Sequence, residues 1–181
     1  MDHLDSLAPP TTTVPTSPQD LAQHLRGYEA RLPEAVHRPL VAAGASILPA
    51  LIALVEDALA DDQTDWGWAP LHAIDLLGVL EDAQAVPVLL RCLDLEDELD
   101  LRVEQAEAAL QVLGARALEA CVAAYAASPR DAFRDRLAGV MSQWASTTSA
   151  FMPPCWTRSS GLQSLERIIW STTVIPARWR C

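Results

Sequence analysis

The stretch from His72 to Asp94, HAIDLLGVLEDAQAVPVLLRCLD, carries the clearest structural signal in the chain. Apolar residues recur at helical spacing in its first half, and a proline stands near the start of its second half, where the first turn of a helix favours it. Glu81 and Asp82 interrupt the apolar pattern between the two halves. The stretch therefore predicts two helices joined by a short acidic turn.

The same apolar spacing recurs on both sides of this stretch. Four apolar residues stand at intervals of +3, +1 and +3 in three segments: Leu48, Leu51, Ile52 and Val55; Val86, Leu89, Leu90 and Leu93; and Leu118, Cys121, Val122 and Tyr125. A helical segment precedes each, and helix pairs that cannot bury their apolar face alone must stack. We therefore predict an all-α superhelix, a short solenoid of about three and a half units. Leu51, Leu89 and Cys121 should be buried at equivalent positions.

The N-terminal part of the chain changes character at Ser17. Ser17 and Asp20 match the S-x-x-D capping pattern, which predicts that a helix begins here. An apolar stripe at helical spacing predicts that this helix runs up to Pro33; its members are Leu21, Leu25, Tyr28 and Leu32. Residues 1–16 contain the tract APPTTTVPT, which has too few apolar groups to pack, so we predict a disordered leader.

The repeat domain is expected to span residues 17–144, and the chain changes again near Gln143. An apolar stripe predicts the first helix of a fourth unit: Phe133, Leu137, Val140 and Trp144. Residues 1–136 carry 9 Arg and 23 acidic residues, whereas residues 137–181 carry 4 Arg and one acidic residue. We therefore predict an atypical tail over residues 145–181, with a short capping helix at 161–171. Separate acquisition of this tail, or a change of reading frame near Gln143, would explain the change in composition and charge.

The central stretch resembles one HEAT-like repeat of the phycobiliprotein-lyase type. The resemblance rests on Gly78 in the first helix, the acidic turn and the motif AVP at 85–87, with Gly44 and Gly114 in the flanking units. We expect a non-enzymatic protein-interaction or scaffold module, since few residues of the chain match a catalytic pattern. The resemblance implies the architecture but no single activity, because this repeat serves several enzymes and plain scaffolds alike. The alternative that it implies is a lyase-type or ligand-binding protein holding a flat ligand, such as a linear tetrapyrrole, in a concave groove.

Few residues in the chain match a catalytic or metal-binding pattern. No His is followed by Glu, so the His-Glu pairs of HEAT-repeat hydroxylases are missing. His72 and Asp75 stand one helical turn apart, but two ligands are fewer than a zinc site needs. Cys121 shares its register position with Leu89, which predicts a small core residue. We predict no catalytic residue, no metal site and no cofactor.

A loop rich in tryptophan provides the candidate binding residues. Trp66 and Trp68 lie just before Pro70, which marks a helix start. Two indoles one residue apart in an irregular segment seldom both point inward, and exposed Trp is common at binding hot spots. The alternative is that both cover the edge between two units. We predict a partner surface formed by Trp66, Trp68, His72 and the concave-side Arg91.

The charge of the chain limits its partners. It has 13 basic residues, all of them Arg, and 24 acidic residues, for a net charge of −11. Such a charge disfavours nucleic acid and anionic membranes, so we predict another protein with a basic or neutral surface. The uncharged segment 39–55 approaches the length of a membrane span, but Gly44 and Pro49 predict two core helices instead. Without a secretory signal pattern, a cytoplasmic location is expected.

Overall fold

The structure, a computed structural model, describes residues 14–15, 17–61, 64–97 and 99–151. Within these residues the fold is all-α, as predicted, and contains no strand. The helices are α1 (Pro18–Arg26), α2 (Glu34–Ala43), α3 (Leu48–Ala60), α4 (Ala69–Leu80), α5 (Val86–Leu93), α6 (Leu101–Leu113), α7 (Leu118–Ala127) and α8 (Asp131–Phe151). A short 3-10 turn joins the two helices of each pair: Gly44–Ser46, Ala83–Ala85 and Gly114–Arg116.

The chain divides into two compact units, residues 1–144 and 145–181, and the description below concerns the first. The predicted capping helix at 161–171 lies outside the described residues, as does most of the predicted leader. Val14, which belongs to that leader, is half-buried against the core. α8 runs to Phe151, past the predicted end of the repeat domain.

The helices form a repeat arrangement with two layers. The pairs are α2 with α3, α4 with α5, and α6 with α7. Their first helices pack side by side, so that α4 lies against both α2 and α6. The second helices do the same, with α5 between α3 and α7, and α1 packs against α3 at the start of this layer. Helices of the two layers pack on each other, as α3 does on α4 and α5 on α6. The predicted stacking of helix pairs is confirmed.

The register of the repeats is also confirmed. Leu51, Leu89 and Cys121 are each the fourth residue of their helix, and all three are fully buried. Three members of the predicted α8 stripe are buried as well: Phe133, Leu137 and Val140. The apolar spacing therefore identified equivalent positions in successive units.

α1 is shorter than its apolar stripe predicts, because it ends at Arg26 and not near Pro33. Ser17 caps it as expected, accepting a hydrogen bond from the backbone N–H of Asp20 (3.1 Å). Gly27 follows the last helical residue, and glycine is unfavourable inside a helix. Tyr28 therefore lies outside the helix, and its carbonyl oxygen accepts a bond from another element.

Side chains of the first helices donate to backbone carbonyls at or beyond the ends of helices in the second layer. The three bonds are His72 Nε2 to the Tyr28 oxygen (3.2 Å), Arg102 Nη1 to the Ala58 oxygen (3.1 Å) and Arg136 Nη1 to the Leu93 oxygen (2.8 Å). Each joins residues 43 or 44 positions apart. The last carbonyls of a helix lack partners within it and attract cations, so these bonds stabilise the stack. We call them carbonyl ties.

The segment considered as a membrane span is broken between α2 and α3. Two pairs of consecutive helices reach the required length and apolarity only together, and they are bent by 104° and 116°. No single helix in the described part of the chain is long and apolar enough to cross a membrane. Gly44, which has a positive φ of 56° that favours glycine, allows the first of these bends.

Candidate functional site

A cleft of about 600 Å³ opens beside the start of α4. Trp68, Leu71, His72 and Asp75 form its α4 side. The opposite walls come from the α1–α2 connection, from α2 and from α6; they include Arg31, Glu34, His37, Leu101 and Gln105. The cleft therefore brings together aromatic, aliphatic and charged side chains from four parts of the fold.

The turn before α4 places Trp68 in this cleft. Gly67 has a φ of 53°, which favours glycine, and its N–H donates to Asp65 Oδ1 (3.0 Å). Trp68 immediately precedes α4, and its carbonyl accepts the N–H of His72 (3.1 Å). The indole is half-buried in the cleft wall. The helix start thus fixes the backbone of Trp68 and leaves part of its ring accessible.

Trp66 has a different role from Trp68. Its Nε1–H donates to the backbone carbonyl of Asp61 (2.9 Å), and the ring packs against the hydrophobic core. The two indoles therefore separate: Trp66 holds the loop to the core, whereas Trp68 lines the cleft. Trp66 does not line it.

His72 forms the buried end of the cleft. It is 5% exposed and is the one polar residue that the described part of the chain buries. Its Nε2 donates to the Tyr28 carbonyl (3.2 Å), because a carbonyl oxygen only accepts. His72 therefore ties α4 to the end of α1 and lines the cleft at the same time.

Asp75, one helical turn after His72, is exposed. It lines the cleft and also a shallow groove that continues between α4 and α6. Its carboxylate makes no hydrogen bond or ion pair with the described residues. An acidic group at this junction is available to a partner.

Arg91 lies elsewhere, on α5 in the layer of second helices. Its Nη1 is 3.2 Å from Glu56 Oε1 of α3, and both side chains are about half exposed. A matching pair joins Arg116 to Glu81 in the next unit, again across 35 residues. Arg91 therefore links neighbouring units, and it is not among the residues that line the cleft.

The two described cysteines are core residues. Burial raises the pKa of the Cys92 thiol to about 12 and that of the Cys121 thiol to about 11. Both therefore stay protonated at neutral pH, and a thiol is a weak nucleophile in that form. Among the described residues no three His, Cys, Asp or Glu side chains converge on a metal-sized space.

No protein-family model matches the chain. No curated protein matches it, and no solved structure does.

Part of this surface was not predicted from the sequence. Leu71 and Leu101 line the cleft, and Val79 and Val112 line the groove that continues from it. Leu101 and Val112 could have been identified from the sequence, because they are apolar residues that fall outside the buried stripe of α6. That stripe is formed by Val103, Ala106, Leu110 and Leu113. Apolar residues off the buried face of a helix indicate a second apolar surface.

Proposed function

We propose that this protein is a non-enzymatic interaction module of HEAT-like repeats that binds a segment of another protein in the cleft beside α4. The observation that carries the proposal is the lining of the cleft: Trp68, Leu71 and Leu101 supply apolar area next to His72 and Asp75. Apolar anchors beside a few polar groups are typical of binding sites. Tryptophan is enriched among the residues that dominate binding energy.

The charge of the chain supports a basic or neutral partner. With a net charge of −11, the module attracts cationic segments and repels acidic ones. We expect it to act in the cytoplasm, where the free thiols of Cys92 and Cys121 would remain reduced.

Selection from a displayed library of random peptides tests the proposal. Peptides enriched on the wild-type protein should bind Trp68→Ala more weakly by over ~1 kcal/mol, because the variant loses a partly accessible indole in the cleft. Arg91→Ala is the matched control, since its exposed ion pair contributes little to stability and lies in the other layer. Circular dichroism should show both variants folded.

Two results would contradict the proposal. One is a selection that enriches no peptide above background. The other is a set of enriched peptides that bind wild-type protein and Trp68→Ala with equal affinity, which would place the binding surface outside the cleft.

A further inference from the structure

The solvent-facing strip of α4 is unusual for a surface helix. Most of the helix is buried, and the side chains that reach solvent include Leu71, Asp75 and Val79, spaced one turn apart. The outer strip of a surface helix is normally polar. Here a single carboxylate stands between two aliphatic side chains.

α6 presents a parallel row beside this strip: Leu101, Gln105, Ala108 and Val112. Val79, Leu101 and Val112 are 42%, 48% and 54% exposed, and they belong to the four large apolar side chains that the described chain exposes. The fourth, Leu99, lies just before α6. Scattered exposed apolar residues are ordinary, but their concentration on one face indicates an interaction surface.

Close packing of α4 on α6 brings the two rows together. A Cβ atom on Gly78 would lie 3.0 Å from both Cα and Cβ of Ala109, so a larger residue there would require α4 and α6 to move apart. The rows form the walls of a groove with Gly78 and Ala109 among its lining residues, and Asp75 and Gln105 connect it to the cleft. We call this surface the α4–α6 groove.

We infer that the α4–α6 groove binds an amphipathic helix of a partner protein that places an Arg or Lys side chain opposite Asp75, between two apolar side chains. This inference rests on the proposed function and specifies its partner. Side chains one turn apart on a docked helix match the spacing of Leu71, Asp75 and Val79.

The Asp75 carboxylate, which has no hydrogen-bond or ion-pair partner among the described residues, determines the charge of the occupant. An apolar segment in the groove would remove water from Asp75, and a desolvated carboxylate without a cation costs free energy. A Lys or Arg at that point compensates the loss, and its aliphatic stem covers the flanking apolar surface. A second copy paired through the same groove would place no cation opposite Asp75, because no Arg, Lys or His is among the residues that line the groove, so the occupant is a different chain.

Three helical peptides of about 15 residues, long enough to form an isolated helix, test this inference. They are identical except for a central Arg, Gln or Glu with Leu one turn to either side. Fluorescence anisotropy with the full chain at low salt should show the Arg peptide binding about tenfold more tightly than the Gln peptide, with the Glu peptide weakest. Added salt should reduce the difference.

Two variants separate charge from apolar contact. Asp75→Asn should bring the Arg and Gln peptides to nearly equal affinity, whereas Asp57→Asn on the exposed face of α3 makes the same change in net charge and should leave the preference intact. Val79→Ser should weaken all three peptides, because it removes apolar area that they share.

Each remaining outcome overturns the inference. An Arg preference that survives Asp75→Asn, or no binding of any peptide, would do so. If the protein is a dimer in sedimentation and Val79→Glu makes it monomeric, the occupant is a second copy. If library-selected peptides depend on Trp68 but not on Asp75 or Val79, the proposed function stands and this partner assignment fails.

Discussion

α5 and α7 carry the same apolar spacing, 32 residues apart, but they bury different amounts of it. α5 buries Val86, Val88, Leu89, Cys92 and Leu93, whereas α7 buries only Cys121. α5 lies between α3 and α7, and the described layer of second helices ends at α7. The periodicity therefore determines which residue faces the core, and neighbours on both sides determine how deeply it is buried.

The largest expected effect tests this difference with one chemical change in both helices. Leu89→Ala in α5 should lower the free energy of unfolding by roughly 2–5 kcal/mol, because it leaves a cavity enclosed on both sides. Leu118→Ala, which removes the same atoms from a half-buried site on α7, should cost about 1–2 kcal/mol. Urea denaturation followed by circular dichroism measures both. Equal losses would mean that α5 and α7 are equally enclosed.

A second comparison uses two glycines inside helices. Gly78→Ala should destabilise the protein by about 1–3 kcal/mol, because the new methyl group would force α4 away from α6. Gly139→Ala should stabilise it by about 0.5–1 kcal/mol, since nothing lies within 4 Å of the added atom on α8. Thermal melts of the two variants should move in opposite directions. A stabilising Gly78→Ala would show that the two helices are not in close contact.

The smallest expected effect concerns the polar groups at the start of α6. Arg102 donates to the Asp100 carboxylate and, through Nη1, to the Ala58 carbonyl. The hydrogen bonds from the Arg102 side chain hold the pKa of Asp100 below its ordinary value of 3.8. The ionised carboxylate therefore stabilises the fold above that value, and this contribution is lost as the pH falls through the lowered pKa.

Asp100→Asn should consequently reduce stability at neutral pH and have little effect below the lowered pKa of Asp100, where the carboxylate is protonated. Urea denaturation at both pH values measures this, with Asp135→Asn on the exposed side of α8 as the control. A loss of the same size at both pH values would mean that the effect of Asp100 on stability does not depend on the charge of its carboxylate.

The sequence predicted the repeat register but not the conformation of each turn. Gly44, Gly78 and Gly114 look alike as small residues near the end of a first helix, yet only Gly44 and Gly114 have a positive φ. In the central unit Glu81 adopts the left-handed conformation, with φ of 51°. Apolar spacing carries no information on this choice, because backbone dihedrals at a turn depend on how the flanking helices pack.

The candidate site was only partly predictable for a similar reason. The proximity of Trp68 and His72 follows from one helix start, which the sequence marks with Pro70. The inward orientation of Trp66 depends on a hydrogen bond to Asp61, which local sequence patterns do not specify. His72 and Asp75, which stand one helical turn apart, differ in depth: the first is buried and the second is exposed. Tertiary packing determines such differences.

The carbonyl ties limit which deletions and insertions this chain can accept. Each tie joins a donor on a first helix to an acceptor at or beyond the end of a helix in the second layer, at nearly constant separation along the chain. If one complete helix pair were removed, each donor that follows it in the chain would lie beside the acceptor that the preceding unit uses now. The same kind of hydrogen bond would then form again. Whole units can thus be deleted or duplicated without loss of these hydrogen bonds, whereas an insertion of a few residues inside a helix would misalign donor and acceptor.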